Sequence, residues 1–278
     1  MKKLVLLLSL CFSFNYAQIQ SPQPSPAAKI EQSVGLTQVT VEYSRPAMRG
    51  RTIMGGLVPY GELWRAGANK NTTIAFSDNV VVGGKDLEAG TYALFIRPGI
   101  SMWEIFFYTK TENWGLPDPW ETEAIAAVLE VQTKTLAEPL ESFTLSIDHL
   151  DSNGATINIA WENTQVSVPL KVPTDTKTMA SIESTLKGSP KAGDLYSAAV
   201  YYRETQRDLE IAKKWMAKAI DMDPGKYWMY RQQSLILADL NDKEGAIESA
   251  KMSLKLAEEA GNQDYVRLNS NSIAEWSK

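Results

Sequence analysis

Four arginines crowd the stretch from Tyr43 to Asn69: Arg45, Arg49, Arg51 and Arg65. Tyr43, Tyr60 and Trp64 stand among them, with glycines at 50, 55, 56, 61 and 67. The stretch follows neither a helical nor a strand period, so it reads as ordered loop. A guanidinium offers a planar fork of donors and a fixed charge, which suits carboxylates and phosphates. A ring beside it adds a stacking face for a flat or sugar-like body. Arg45, Arg51 and Arg65 are therefore the candidates for a shallow polar pocket, with Asn69 supplying an amide and Trp64 or Tyr43 a ring. The opposing expectation is that each guanidinium bonds loop carbonyls and carboxylates such as Glu42 and Glu62, because a buried charge needs partners. Trp64 is then core. The two readings differ in whether these side chains converge on one cavity.

Two other constellations are weaker. Asp118, Glu121 and Glu123 lie beside Trp114 and Trp120, a mixture that sugars or calcium can use. Nothing in the spacing sets two carboxylates across a sugar, so a solvated loop with aromatic anchors is the simpler reading. The stretch His149–Gly154 fails as a calcium loop: His149 stands where an acid is needed and Ala160 where the bidentate glutamate belongs. Its Ser152-Asn153-Gly154 reads as a type I′ hairpin instead. Asn71-Thr72-Thr73 matches a glycosylation acceptor by coincidence of residue types.

Several chemistries drop out. His149 is the single histidine, so a multi-histidine zinc site is excluded. No Gly-x-Ser-x-Gly elbow, phosphate loop or dinucleotide motif occurs. The reading names no catalytic residue, no metal and no cofactor.

The N-terminus reads as a signal peptide over residues 1–17. Lys2 and Lys3 form the charged region, Leu4 to Phe14 the apolar one, and Ala17 precedes the cut. The apolar run is shorter than the ~20 residues a spanning helix needs. The protein is expected to be exported, periplasmic or secreted, with no membrane span. Cys11, the single cysteine, lies inside this leader, so the mature chain has no disulfide and no thiolate chemistry. The formal charge is −5 and becomes more negative when Lys2 and Lys3 leave. An acidic chain without a basic run is a poor partner for nucleic acid.

The elements that must position these residues fall into two halves. After a lead-in at 18–36, period-two runs fill 37–172: Thr37–Ser44, Thr73–Ser77, Val80–Val82, Thr91–Arg97, Met102–Tyr108, Ala127–Thr133, Ser142–Asp148, Ala155–Trp161 and Gln165–Lys171. Short strands without helix-length crossovers imply an antiparallel β-sandwich or barrel-like domain. Asp118–Ala126 reads as loop or short helix. Residues 173–193 form a linker with a short helix, Asp175–Leu186. An all-α helical-hairpin domain follows over 194–278. Ala212 and Ala246 stand 34 residues apart, as do Ala219 and Ser253, and Pro224 closes the first unit. That period and those small residues resemble the tetratricopeptide repeat. An ordinary helical bundle is the alternative.

The wording of the front half carries a further resemblance. Its residues are Ser25-Pro26-Ala27-Ala28, Val39-Thr40-Val41-Glu42-Tyr43-Ser44-Arg45-Pro46, Gly50-Arg51-Thr52-Ile53, Leu57-Val58-Pro59-Tyr60-Gly61 and Trp64-Arg65-Ala66-Gly67-Ala68-Asn69. Gly90-Thr91-Tyr92-Ala93-Leu94-Phe95 and Trp114-Gly115 continue it. Over about residues 24 to 171 the chain resembles the bacterial envelope family of domain of unknown function 2911. The resemblance implies an envelope β domain with a tetratricopeptide-like tail and brings no assigned reaction or ligand.

The expectation is a non-catalytic binding or scaffold protein whose helical repeats contact a protein or peptide. Tyr227, Trp228 and Tyr230 are the residues expected to line that face or the interdomain seam. The rival is an enzyme or small-ligand binder using the arginine and aromatic pocket of the β domain on an anionic or carbohydrate ligand.

Overall fold

The computed structural model describes residues 21–278; the expected signal peptide, its cut before Gln18 and Cys11 lie outside the described residues. The chain forms two compact units, one ending at Thr174 and one running from Asp175 to Lys278.

The first unit is built of strands β1 (Ala27–Val34), β2 (Thr37–Ser44), β3 (Thr73–Phe76), β4 (Val80–Val82), β5 (Lys85–Leu87), β6 (Gly90–Pro98), β7 (Met102–Tyr108), β8 (Ile125–Gln132), β9 (Lys134–Asp148) and β10 (Gly154–Lys171). They make a six-stranded sheet in the order β1-β2-β3-β6-β7-β8 and a four-stranded sheet in the order β5-β4-β10-β9. Every paired strand is antiparallel. The alternation seen in the sequence is the cause: Val39, Val41 and Tyr43 turn inward from β2 while Gln38 and Glu42 face water. Ile74, Leu94, Ile96, Ile105 and Phe107 of one sheet share a single core with Leu145, Ile157, Ile159, Val168 and Leu170 of the other. Two sheets closed on one core are a sandwich, as expected. The centre of the larger sheet is also covered outside, where Ala93, Phe95, Phe106 and Tyr108 meet Ala124 and Trp120.

The structure departs from the sequence reading in several places. β1 occupies part of the expected lead-in. Ala28 and Gln32 dilute its inner face, so its alternation is faint in the sequence, yet it pairs with β2 along its whole length. The two runs Ala155–Trp161 and Gln165–Lys171 are one strand, β10, because β9 is long enough to keep pairing past two register shifts around Glu162. There Glu162 takes a left-handed conformation, φ 54°. The β9–β10 turn is a loop with His149 left-handed at φ 50° rather than a type I′ pair at Asn153-Gly154, and Gly154 already belongs to the strand. The Asp118–Ala126 stretch, expected as loop or short helix, is loop with one 3-10 turn at Thr122–Ala124, and its last two residues already begin β8. Gly83-Gly84 turns β4 into β5, with φ 56° and 82°, values that glycine adopts without strain.

The second unit holds α1 (Thr174–Leu186, beginning one residue inside the first unit), α2 (Ala192–Glu204), α3 (Leu209–Met222), α4 (Tyr227–Asp239), α5 (Lys243–Glu259) and α6 (Gln263–Trp276). Asp208, Asp242 and Asn262 cap α3, α5 and α6 by accepting the backbone N–H of Ile211, Gly245 and Tyr265. From α2 onward each helix packs on the next. The seams are made of small residues: Ala199, Ala212, Ala219, Ala246, Ala250, Ser253 and Ala257 are fully buried. Among the described residues no helix is long and apolar enough to cross a membrane.

Candidate functional site

The loops between β2 and β3 are pinned to the sheets backbone by backbone. Arg45 N–H donates to Pro26, Met48 N–H to Glu141, and Phe143 N–H to Pro46. Ile53 and Met54 N–H both donate to the Glu162 carboxylate, at 3.3 and 3.1 Å, across more than a hundred residues of chain. Trp64 exchanges a pair of bonds with Ile96, at 2.7 and 2.8 Å, which stitches its loop to β6. Gly67 fits between Ser44 and Thr72 at φ 140°, and a Cβ there would press on both.

These loops enclose a cleft of about 460 Å³. Its walls carry three guanidiniums, Arg49, Arg51 and Arg65, beside Trp64, Trp161, Leu57, Leu63 and Leu116. Trp64 stacks on Trp161 at 5.8 Å and meets Phe143 edge-on. The lining holds no carboxylate and no imidazole; its one side-chain hydroxyl is Ser25. Such a site offers positive charge, donors and ring faces.

The arginines divide into two kinds. Arg45 is tied down, Nε donating to the Phe143 carbonyl at 3.1 Å and Nη2 to Thr144 Oγ1 at 2.8 Å, and it does not line the cleft. Arg49 Nη2 donates to the Pro24 carbonyl at 2.8 Å. Arg51 donates to the carbonyls of Met48 and Ala47 at 2.8 and 2.6 Å. Arg65 differs: it is half-buried in the cleft wall, and no hydrogen bond or ion pair within the described residues engages it. Glu42 and Glu62, the expected carboxylate partners, take none of these roles; Glu42 faces Lys29 at 3.6 Å and Glu62 is exposed.

Thus Arg51, Trp64 and Arg65 come together, while Tyr43, Arg45 and Asn69 do not join them. Tyr43 is buried core, and its hydroxyl bonds the backbone of Leu145. Asn69, left-handed at φ 59°, uses its amide to hold the Ser25 carbonyl and Ser44 Oγ. The residues missed were Arg49, Leu57, Leu63, Leu116 and Trp161. Arg49 stood in the same arginine block; the others follow from tertiary folding alone, since Trp161 reads as an ordinary strand residue.

The acidic candidate dissolves on inspection of its contacts. Glu121 pairs with Lys110 at 2.6 Å, and Trp120 packs on Phe95, Phe106 and Tyr108. Among the described residues no group of three or more His, Cys, Asp or Glu is placed to hold a metal. Asn71 is buried, which leaves no room for a glycan.

In the helical unit, Tyr227, Trp228 and Tyr230 are packing residues. Tyr227 lies edge-on to Trp228 and Tyr265, and its hydroxyl accepts from Asn262 Nδ2 at 3.1 Å. Trp228 and Tyr230 pack on the core formed by Ala199, Met216 and Ile236, and Lys226 sits 5.5 Å from the Trp228 ring.

No curated protein and no solved structure matches the chain. A family match covers residues 25–170, more than half of the sequence and all ten strands within a residue or so of their ends. The chain belongs to the family described as Protein of unknown function (DUF2911).

Proposed function

We propose that the β unit is a binding module for a small anionic ligand held in the Arg49–Arg51–Arg65 cleft. One observation carries this: Arg65 is a half-buried guanidinium without a hydrogen-bond or ion-pair partner among the described residues, in a wall whose described lining holds no carboxylate. Removing a charge from water without a counter-charge is costly, so a bound anion would complete the site. A neutral sugar is poorly served, because its hydroxyls need acceptors and the lining gives mostly donors. With no imidazole or carboxylate beside the arginines, the reading is retention of a ligand rather than its turnover.

The test is a thermal-shift titration of the purified chain with inorganic phosphate and acetate at constant ionic strength. Both should raise Tm, and Arg65→Gln should abolish the shift. An equal shift in the variant would sink the reading.

We also propose that α2–α5 are two tetratricopeptide-like repeats of an exported protein, with the helical unit contacting a protein partner. The support is positional: Ala212 and Ala246, and likewise Ala219 and Ser253, are equivalent by the 34-residue spacing and are all fully buried in their seams. Mass spectrometry of the mature protein should find Gln18 at its N-terminus. A partner captured by the full chain should be lost by a fragment spanning residues 24–172, and retention by that fragment would overturn the assignment.

A further inference from the structure

The cleft is not only cationic. Of its walls, Leu57, Leu63, Trp64 and Leu116 present hydrocarbon or ring faces, with Trp161 buried behind Trp64. Both indole N–H groups are already used, Trp64 Nε1 on the Gly67 carbonyl at 3.3 Å and Trp161 Nε1 on the Glu141 carbonyl at 3.2 Å. Neither ring therefore has a donor left for a ligand, and what Trp64 offers is apolar surface. Leu57 and Leu116 remain 48% and 49% exposed at the rim, beside Trp114 at 74%. The segment that bears Leu116 also approaches the free cation: a Cβ at Gly115 would lie 3.4 Å from Arg65 Nη1. Charge and apolar surface are thus adjoining parts of one concavity, and its volume lies in the range that small organic ligands fill.

We propose that this cleft takes an amphipathic anion, a carboxylate or phosphate head joined to an apolar body. The inference rests on the anion-binding reading above and adds the second half of the ligand. The head meets Arg65, with the remaining N–H groups of Arg49 and Arg51 in reach of the same cleft. The body covers Trp64, Leu57 and Leu116, which a bare anion would leave wet. The apolar body is either an alkyl chain, as in a lipid-derived acid, or a ring, as in an aromatic acid.

The experiment compares octyl phosphate, 1-naphthyl phosphate, inorganic phosphate and octyl glucoside by calorimetric titration of the purified chain. All amphiphiles are kept below micelle-forming concentration. At least one of the two organic phosphates should bind about thirty-fold tighter than inorganic phosphate, the gain expected from burying a few methylenes or one ring face. A tighter octyl compound identifies a chain as the body, and a tighter naphthyl compound a ring. Octyl glucoside should bind at least about tenfold more weakly than octyl phosphate. Leu116→Ser, at a half-exposed position, should weaken the organic phosphates about five-fold, and an equal loss for inorganic phosphate would overturn Leu116 as a contact of the apolar body. Organic and inorganic phosphate binding within threefold of each other would overturn the amphipathic ligand and spare the anion site. Octyl glucoside matching octyl phosphate, with Arg65→Gln harmless to both, would overturn the anion site itself.

Discussion

Aromatic residues meet opposite fates in the two units. In the β unit, Trp64 rests one face on Trp161 and turns toward a cleft, because its backbone is stitched to β6 in an irregular loop rather than in a packed helix. In the helical unit, Tyr227 has its ring against Tyr265 and Trp228 and its hydroxyl accepting from Asn262, so its contacts are with its own unit. The difference lies in the backbones. Helices that meet on alanine and serine approach closely, and in the α5–α6 seam a buried Asn269 donates its amide to Ser253 Oγ and the Tyr265 carbonyl. Irregular loops held by carbonyls leave gaps, and a gap lined by side chains is where a ligand fits.

The contrast should survive its harshest test, which is a change of volume. Trp161 is fully buried under Trp64 and Phe143, and Trp161→Ala should cost about 3–5 kcal/mol, seen as a large fall in urea midpoint by far-UV circular dichroism. The helical unit should fail in the other direction. Ala250 is fully buried in α5, and Ala250→Leu should cost about 1–3 kcal/mol by overpacking. If Ala250→Leu proves neutral, the helical seams have spare room and the comparison breaks.

Glu162 sharpens the same point within the β unit. Its carboxylate holds Ile53 and Met54 N–H beneath the loop that carries Leu57 and Val58 to the cleft. Glu162→Ala should destabilise by about 1–3 kcal/mol by leaving those donors unpaired. It should also weaken phosphate binding although Glu162 does not line the cleft. Retained affinity would show that the loop holds its shape without this bond.

A finer comparison sets Arg45 against Arg65. Arg45→Gln should cost about 1–2 kcal/mol, since Phe143 O and Thr144 Oγ1 lose a charged donor. Arg65→Gln should change the free protein by no more than about 0.5 kcal/mol, because no protein bond is broken. Equal costs from the two variants in chemical denaturation would show that Arg65 is structural after all.

That pair also marks how far the sequence could be read. Period-two and helical patterns placed most elements near their observed bounds, because alternation reports which face is buried. The arginine block was legible as chemistry, since no regular element explains four guanidiniums among glycines. Its sorting was not. Whether Arg45 finds Phe143 O or Arg65 finds nothing depends on partners roughly a hundred positions away, and no local period encodes them. Leu116 and Trp161 were invisible as site residues for the same reason. β1 was missed because an edge strand with one wet face needs little apolar sequence.

The smallest expected effect lies in the helical unit, where the charges are paired and exposed rather than free and enclosed. Asp175 accepts two bonds from Arg207 Nη2, at 2.6 and 2.7 Å, and one from Tyr201 Oη at 2.7 Å. The Arg207 hydrogen bonds, then that of Tyr201, hold the Asp175 carboxyl below its ordinary value of 3.8. A depressed carboxyl contributes stability that is present above the unfolded value and is lost as pH falls through the folded one. Asp175→Asn should therefore lower Tm slightly near neutral pH, with the gap from the parent closing as pH drops below 3.8. Added salt should narrow the gap too, since the pair is solvent-exposed. A gap that stays constant through acid and salt would mean that Asp175 acts by packing. The helical unit's charges would then resemble the buried bonds of Arg45, and the open, unpaired Arg65 would stand apart from both.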